Sequence, residues 1–169
     1  FGVCGGCTWQ DLAYAEQLRF KKKQVVDCLE RLGQFEAPAV REVVPCDTLF
    51  FYRNKMEFSF HVSEGEGFTL GLHERNSFDD IFDLNACYLE SEESNAIVGF
   101  VRQFVKEKGI AVYDIRNHTG YMRFLMIREG KRTRQIMVNI ITNYGEIPHE
   151  EELVAGLRQV CPSVATVIH

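Results

Sequence analysis

The chain has 169 residues, 46% of them hydrophobic, and a formal net charge of -5. That is enough apolar material for one packed domain, or one with a small extension, and too acidic a balance for a chain that coats nucleic acid over its whole surface. No apolar run approaches the roughly 20 residues of a membrane span, and the start lacks the basic segment and apolar run of a signal peptide.

Phe1-Gly2-Val3-Cys4-Gly5-Gly6-Cys7 opens the chain with two thiols three apart. The spacing lets two thiolates grip one soft metal centre, and the glycines let the backbone fold closely around it. By itself this is half a site. Six cysteines would permit a disulfide framework, but a chain this large and apolar needs no staples, so reduced thiols in a cytoplasmic protein are expected. Cys28, Cys46 and Cys161 read as small buried apolar residues. The abrupt beginning at the cysteine motif reads as that of an excised domain.

Thr8 is expected to cap a helix running to about Leu32, with Gly33 as its stop and Leu18, Val25, Leu29 and Leu32 on one face. Arg19, Lys21, Lys22 and Lys23 give it a basic section, read as a solvated face or a phosphate contact. Residues 34 to 39 form a linker closed by Pro38, and Val40 to Cys46 reads as a strand. Asn54 to Val62 alternates polar and apolar, with Met56, Phe58, Phe60 and Val62 on one face. A turn at Glu64-Gly65-Glu66-Gly67 and a strand from Phe68 to Leu72 complete a hairpin. A short strand from Asp80 to Leu84 leads into Cys87.

Ser91 to Lys108 reads as a second helix, buried through Ile97, Val101, Phe104 and Val105 and stopped by Gly109. Tyr121 to Arg128 and Arg134 to Thr142 form a second hairpin around Glu129-Gly130-Lys131-Arg132. A third helix from Glu150 to Val160 and a strand from Val164 to Ile168 end the chain. The fold class is α+β: two layers, an antiparallel sheet of hairpins with helices packed on one face. The expected organisation is a single domain in three parts, residues 1 to 33, 34 to 90 and 91 to 169.

Three constellations bear on chemistry. Cys87, between a strand and a helix, is placed to join Cys4 and Cys7 as a third soft ligand for zinc or an iron–sulfur cluster. His61 or His73 could be a fourth ligand for zinc, though neither has motif spacing to the cysteines. Second, Arg116, His118, Arg123, Arg128, Lys131, Arg132 and Arg134 lie within nineteen residues whose only acid is Glu129. Tyr52-Arg53-Asn54-Lys55 adds an aromatic and two cations. Phosphates need cations and unstacked bases need aromatic or guanidinium planes, so this is either an RNA contact or an ordinary charged sheet face. Third, there is no glycine-rich nucleotide loop, no Walker sequence, no Gly-x-Ser-x-Gly and no pairing of nucleophile and base. The chain reads as a binding or positioning domain more readily than as a complete enzyme.

Together these residues resemble the RNA 5-methyluridine methyltransferases of the RumA/TrmA type, which use S-adenosylmethionine (SAM), and especially their iron–sulfur, ribosomal-RNA branch. The resemblance rests on the opening cysteine stretch, Gln17-Leu18-Arg19-Phe20-Lys21, Tyr52 to Phe60 with its Tyr-Arg-Asn-Lys, Cys87 in its strand-to-helix turn, and Gln135 to Thr142. It implies a 4Fe–4S cluster on four cysteines, of which three match Cys4, Cys7 and Cys87 and the first would precede Phe1. It also implies an N-terminal β-barrel RNA-binding domain ahead of this chain and a SAM-binding, Rossmann-like catalytic domain after it. In the family mechanism a cysteine of that catalytic domain adds to C6 of uracil, C5 takes the methyl group, and a base removes the C5 proton. None of the cysteines here matches that nucleophile. The chain is thus expected to be the central RNA-recognition domain of a cytoplasmic enzyme, inactive alone and monomeric, with RNA as partner and no membrane. Arg53, Lys55, Arg116, Arg123 and Arg132 are the expected RNA contacts. The competing reading is a stand-alone zinc-stabilised module that binds RNA or protein.

Overall fold

A computed structural model describes residues 2 to 63 and 67 to 169, which form two compact units, one of residues 7 to 49 and one of residues 2 to 6 with 50 to 169. The turn expected at Glu64-Gly65-Glu66 lies outside the described residues.

The first unit holds α1, Tyr14–Arg31. The helix starts five residues later than the Thr8 cap predicts. Its N-cap is Ala13, with no side-chain cap, and the lead-in is braced instead by the Gln17 amide, which donates to the Trp9 and Leu12 carbonyls at 3.0 and 2.8 Å. Gly33 does end the helix. A Cβ there would lie 2.7 Å from both the Leu29 carbonyl oxygen and the Phe35 ring. The expected apolar face is not buried: no residue of α1 is, and Val25 and Leu32 are 49% and 82% exposed. Lys22 pairs with Glu42 and Lys23 with Asp27, so that with Arg19 three of the four cations of the basic section are spent within the unit. Arg19 pairs with Glu16. Residues 40 to 46 form no strand. They make no ladder, the run does not alternate, and Pro45 removes a donor. Cys28 and Cys46 are exposed, against expectation. Cys28 lies on a helix with no buried face, and Cys46 in the strandless segment, where its thiol donates to the Thr48 carbonyl.

The second unit is built on one six-stranded sheet: β1 Lys55–Ser63, β2 Gly67–His73, β3 Ile81–Asp83, β4 Met122–Gly130, β5 Gln135–Thr142 and β6 Val164–Ile168, in spatial order β3-β2-β1-β4-β5-β6. Alternation decides which face is covered. Phe58 pairs with Leu125 and Leu125 with Ile140; Met56 pairs with Ile127 and Ile127 with Val138. All six are buried. Val62, predicted for the same face, is 42% exposed. Five strands are antiparallel as expected, but β6 runs parallel to β5. The intervening helix, Glu150–Val160, makes this possible, because a parallel neighbour needs a crossover connection and a helix supplies one.

The covering helices are α2, Glu92–Glu107, and α3, Glu150–Val160. Ser91 caps α2, its hydroxyl accepting from the Ser94 N–H at 3.1 Å, and Gly109 follows at φ +60°. Ile97, Val101, Phe104 and Val105 are buried as predicted. Cys161, after α3, is buried too. The two helices meet at Gly156, where a Cβ would come 2.1 Å from the Phe100 ring. Lys108 at the end of α2 pairs with Glu152 of α3 at 2.5 Å.

Candidate nucleic-acid interface

The basic run does not form one patch. β4 lies between its halves, and nine residues at about 3.4 Å each separate the ends by about 27 Å.

One group gathers at the start of β1 and the end of β4. Lys55 lies directly opposite Arg128, and the Glu129 N–H donates to the Asn54 carbonyl. Lys131 and Arg132 sit in the exposed loop 131 to 134, two residues beyond the predicted turn, which closes through the Arg134 N–H on the Gly130 carbonyl. Lys131 pairs with Glu129 at 2.7 Å, so the one acid of the run neutralises one of its cations. Arg53 joins this group because the Phe51 and Arg53 N–H groups donate to the Tyr88 and Leu89 carbonyls. That pairing lays Tyr52-Arg53 along the Cys87 turn.

Glu90 lies beneath this group. It is 1% exposed, and neither carboxylate oxygen has a hydrogen-bond partner. Burial pushes its carboxyl above the ordinary range. The Ser94 hydroxyl tempers the shift without completing a hydrogen bond, and the Lys131 and Arg53 charges offset a further part. A raised folded pKa means that the folded chain holds a proton the unfolded chain has released, so stability falls as pH rises from the unfolded value of about 4.5 through the folded one. Glu90→Gln is therefore expected to stabilise by about 1 to 2 kcal/mol at pH 7 and to be near neutral at pH 4. Urea unfolding at the two pH values checks this; an equal effect at both would reject it.

The second group gathers at the start of β4. Met122 pairs with Thr142 and Phe124 with Ile141, so Arg123 is the extra residue of a β-bulge. Bulges re-aim side chains, and this one sets the Arg123 guanidinium 4.5 Å from the centre of the Tyr113 ring and 5.7 Å from that of Phe124. Tyr113 belongs to a loop, residues 111 to 121, bound along β4 by the Tyr113 N–H on the Met122 carbonyl and the Met122 N–H on the Ala111 carbonyl. Its tip is tied by Asp114, whose carboxylate accepts from the Arg116 and Asn117 N–H groups and from the Asn117 amide. Those bonds hold the Asp114 carboxyl below its usual range. Arg116 is exposed on that tip. Behind Arg123 a cleft of about 500 Å³ opens between the ends of β4 and β5, lined among others by Asn139, Thr142, Asn143, Tyr144 and His169. Of these lining residues the sequence singles out only Arg123. Asn143-Tyr144-Gly145, a turn signal directly after a strand, marks where a site could form.

The three candidate ligand thiols fall as follows. Cys4 bridges Glu74, and its sulfur accepts from the Gly6 N–H at 3.3 Å. Cys87 is buried, its backbone clasped by the Asn95 amide through bonds of 2.7 and 3.0 Å. Cys4 and Cys87 belong to the second unit and Cys7 to the first. Their donor chemistry suits iron or zinc, but among the described residues no three His, Cys, Asp or Glu side chains stand together as a metal site, and neither His61 nor His73 completes one.

No protein-family model matches the chain. It is 37% identical, over 94% of its length, to an uncharacterized RNA methyltransferase of Chlorobaculum tepidum, covering 35% of that protein. It is 38% identical over its whole length to one of Nitratidesulfovibrio vulgaris, covering 36% of it. Among solved structures it is similar to the Pyrococcus abyssi tRNA (uracil-54, C5)-methyltransferase in complex with S-adenosyl-L-homocysteine. The TM-score is 0.70 and the identity 32%, over 89% of this chain and 34% of that one. The chain therefore spans about a third of the length of the RNA methyltransferases it matches, and is similar to that third in sequence and, for the solved relative, in fold.

Proposed function

We propose that this chain is the RNA-holding central segment of an enzyme that transfers a methyl group from SAM to C5 of a uridine, with ribosomal RNA as the favoured substrate. The observation that carries the reading is the similarity over nearly the whole chain to RNA methyltransferases, one of them a uracil-C5 enzyme with S-adenosyl-L-homocysteine bound. Two cationic, aromatic groups at the ends of β4 support it, because an RNA strand is held by cations on phosphates and by planes under bases. Nothing in the segment resembles a nucleophile with its base, so methyl transfer falls to the rest of the enzyme, and this chain alone is expected to be inactive, monomeric and cytoplasmic.

The test is RNA affinity of the whole enzyme against salt. Arg53→Ala and Arg123→Ala, one in each group, should each weaken binding and lower the salt slope by about one. Unchanged affinity and slope in both variants would remove the RNA assignment. The reading extends to Cys4, Cys7 and Cys87 as thiolates of a 4Fe–4S cluster, on the cysteine pattern alone. Its assembly needs a fourth ligand, which by the family pattern would precede Phe1. Iron with acid-labile sulfide in the purified enzyme supports that extension. Stoichiometric zinc favours the separate zinc-stabilised module, and metal-free protein of full activity ends both.

A further inference from the structure

We propose that the cleft behind Arg123 seats one unstacked nucleobase of an RNA strand, an inference that rests on the RNA reading above and adds to it a place and a chemistry. Its volume of about 500 Å³ lies within the range of small-molecule sites. Its polar groups fall into two sets. One set is engaged in building the walls: the Asn143 amide donates to the Gly120 carbonyl, the Thr142 hydroxyl meets the His169 ring nitrogen at 2.7 Å, and the Tyr121 hydroxyl donates to the Gly145 carbonyl. Gly145 itself stands at φ +127°, a conformation that side-chain-bearing residues rarely adopt. These bonds give the cleft a fixed shape without using what it presents inward.

The other set has no partner in the protein. The Asn139 amide, on the middle of β5, makes no side-chain hydrogen bond among the described residues. The Arg123 guanidinium has no carboxylate and no hydrogen bond there either, only the ring faces of Tyr113 and Phe124, and its Nε is buried and unsatisfied. Tyr144 is fully exposed at the rim, its N–H donating to the Asn143 side chain. An unused aromatic plane, an amide offering both a donor and an acceptor, and an unpaired cation are the complements of an unpaired base: a π face, a hydrogen-bonding edge and the phosphate that follows it. No carboxylate side chain lines the cleft to repel a strand. The same groups would also suit a free nucleotide, so the probes must separate the two.

The experiment measures the affinity of the 169-residue chain for three probes: an eight-nucleotide single-stranded oligouridine, the same octamer with abasic sugars, and uridine monophosphate. The base-bearing octamer should bind at least tenfold more tightly than the abasic one. Tyr144→Ala should raise its Kd about tenfold with the salt slope unchanged, since stacking and not charge is lost, and Tyr144→Phe should restore it. Asn139→Ala should weaken the octamer several-fold. Arg132→Ala, at the far end of β4, should instead lower the slope. Abasic and base-bearing octamers binding alike, or Tyr144→Ala within twofold of the parent, would overturn the base site while leaving the RNA reading standing. Uridine monophosphate binding as tightly as the octamer would overturn its assignment to a strand. An octamer that does not bind at all would overturn both readings.

Discussion

Gly120→Ala is expected to destabilise the chain by about 3 kcal/mol and to dismantle the Arg123 group. Gly120 has φ +94°, and a Cβ there would stand 2.0 Å from the Val112 carbonyl oxygen and 2.9 Å from the Tyr113 Cα. Both obstacles are backbone, so no side chain can swing aside. The left-handed conformation and the overlap each cost about 1 to 3 kcal/mol, and the chain can escape only by releasing residues 111 to 121 from β4. Release breaks the hydrogen bonds of the Tyr113 and Met122 N–H groups and takes the Tyr113 ring from beside Arg123. Denaturant unfolding would give the stability loss, and amide exchange at Tyr113 and Met122 its location. A loss below 1 kcal/mol, with those amides still protected, would mean that the loop is not held as described.

Arg102→Ala should cost a similar amount, about 3 kcal/mol, at the β3 edge of the sheet. From α2, Arg102 donates to the Leu70 and Leu84 carbonyls at 2.9 and 2.5 Å and pairs with Asp83 at 2.8 Å; Asp83 in turn accepts from the Leu70 N–H. β3 is only three residues long and lies at the sheet edge, so this one guanidinium does much to fasten it. Its removal leaves two carbonyls and a carboxylate short of a charged donor, a loss of the size found when one member of a half-buried network is deleted. Arg102→Lys should recover part of the loss, because one ammonium cannot reproduce the fork. The measurement is again denaturant unfolding, with amide exchange at Leu84 and Leu72. An alanine variant as stable as the parent would show that the β2–β3 edge stands without α2.

The two regions differ in how far they could be read in advance. In α2 every determinant is local. Ser91 caps it, apolar residues recur at helical spacing, and Gly109 takes the positive φ that ends it. α3 and β6 likewise occupy the predicted residues. Where local signals are weak, the structure departs from the pattern. Val40 to Cys46 has strand-forming residues but no neighbour to pair with, and the apolar positions of α1 face no covering layer within their own unit. The candidate interface was legible as a list of cations but not as a shape. Arg123 and Arg132 are nine positions apart in sequence, and an extended strand turns that closeness into distance.

What the sequence by itself determined is the material of the fold and of the interface: an α+β chain, the alternation that buries Phe58, Leu125 and Ile140, and a supply of arginine, lysine and aromatic residues with few acids between them. These properties depend on neighbours one to four positions away, which period and capping express directly. Only the tertiary structure decided that β6 lies parallel, that the cations divide between the two ends of β4, and that Arg123 stands on a bulge beside a cleft lined by residues 139 to 145 and His169. It also decided that Glu90 is buried without a partner. Each depends on strand pairing between residues distant in the chain, and the register of a sheet has no expression in local pattern.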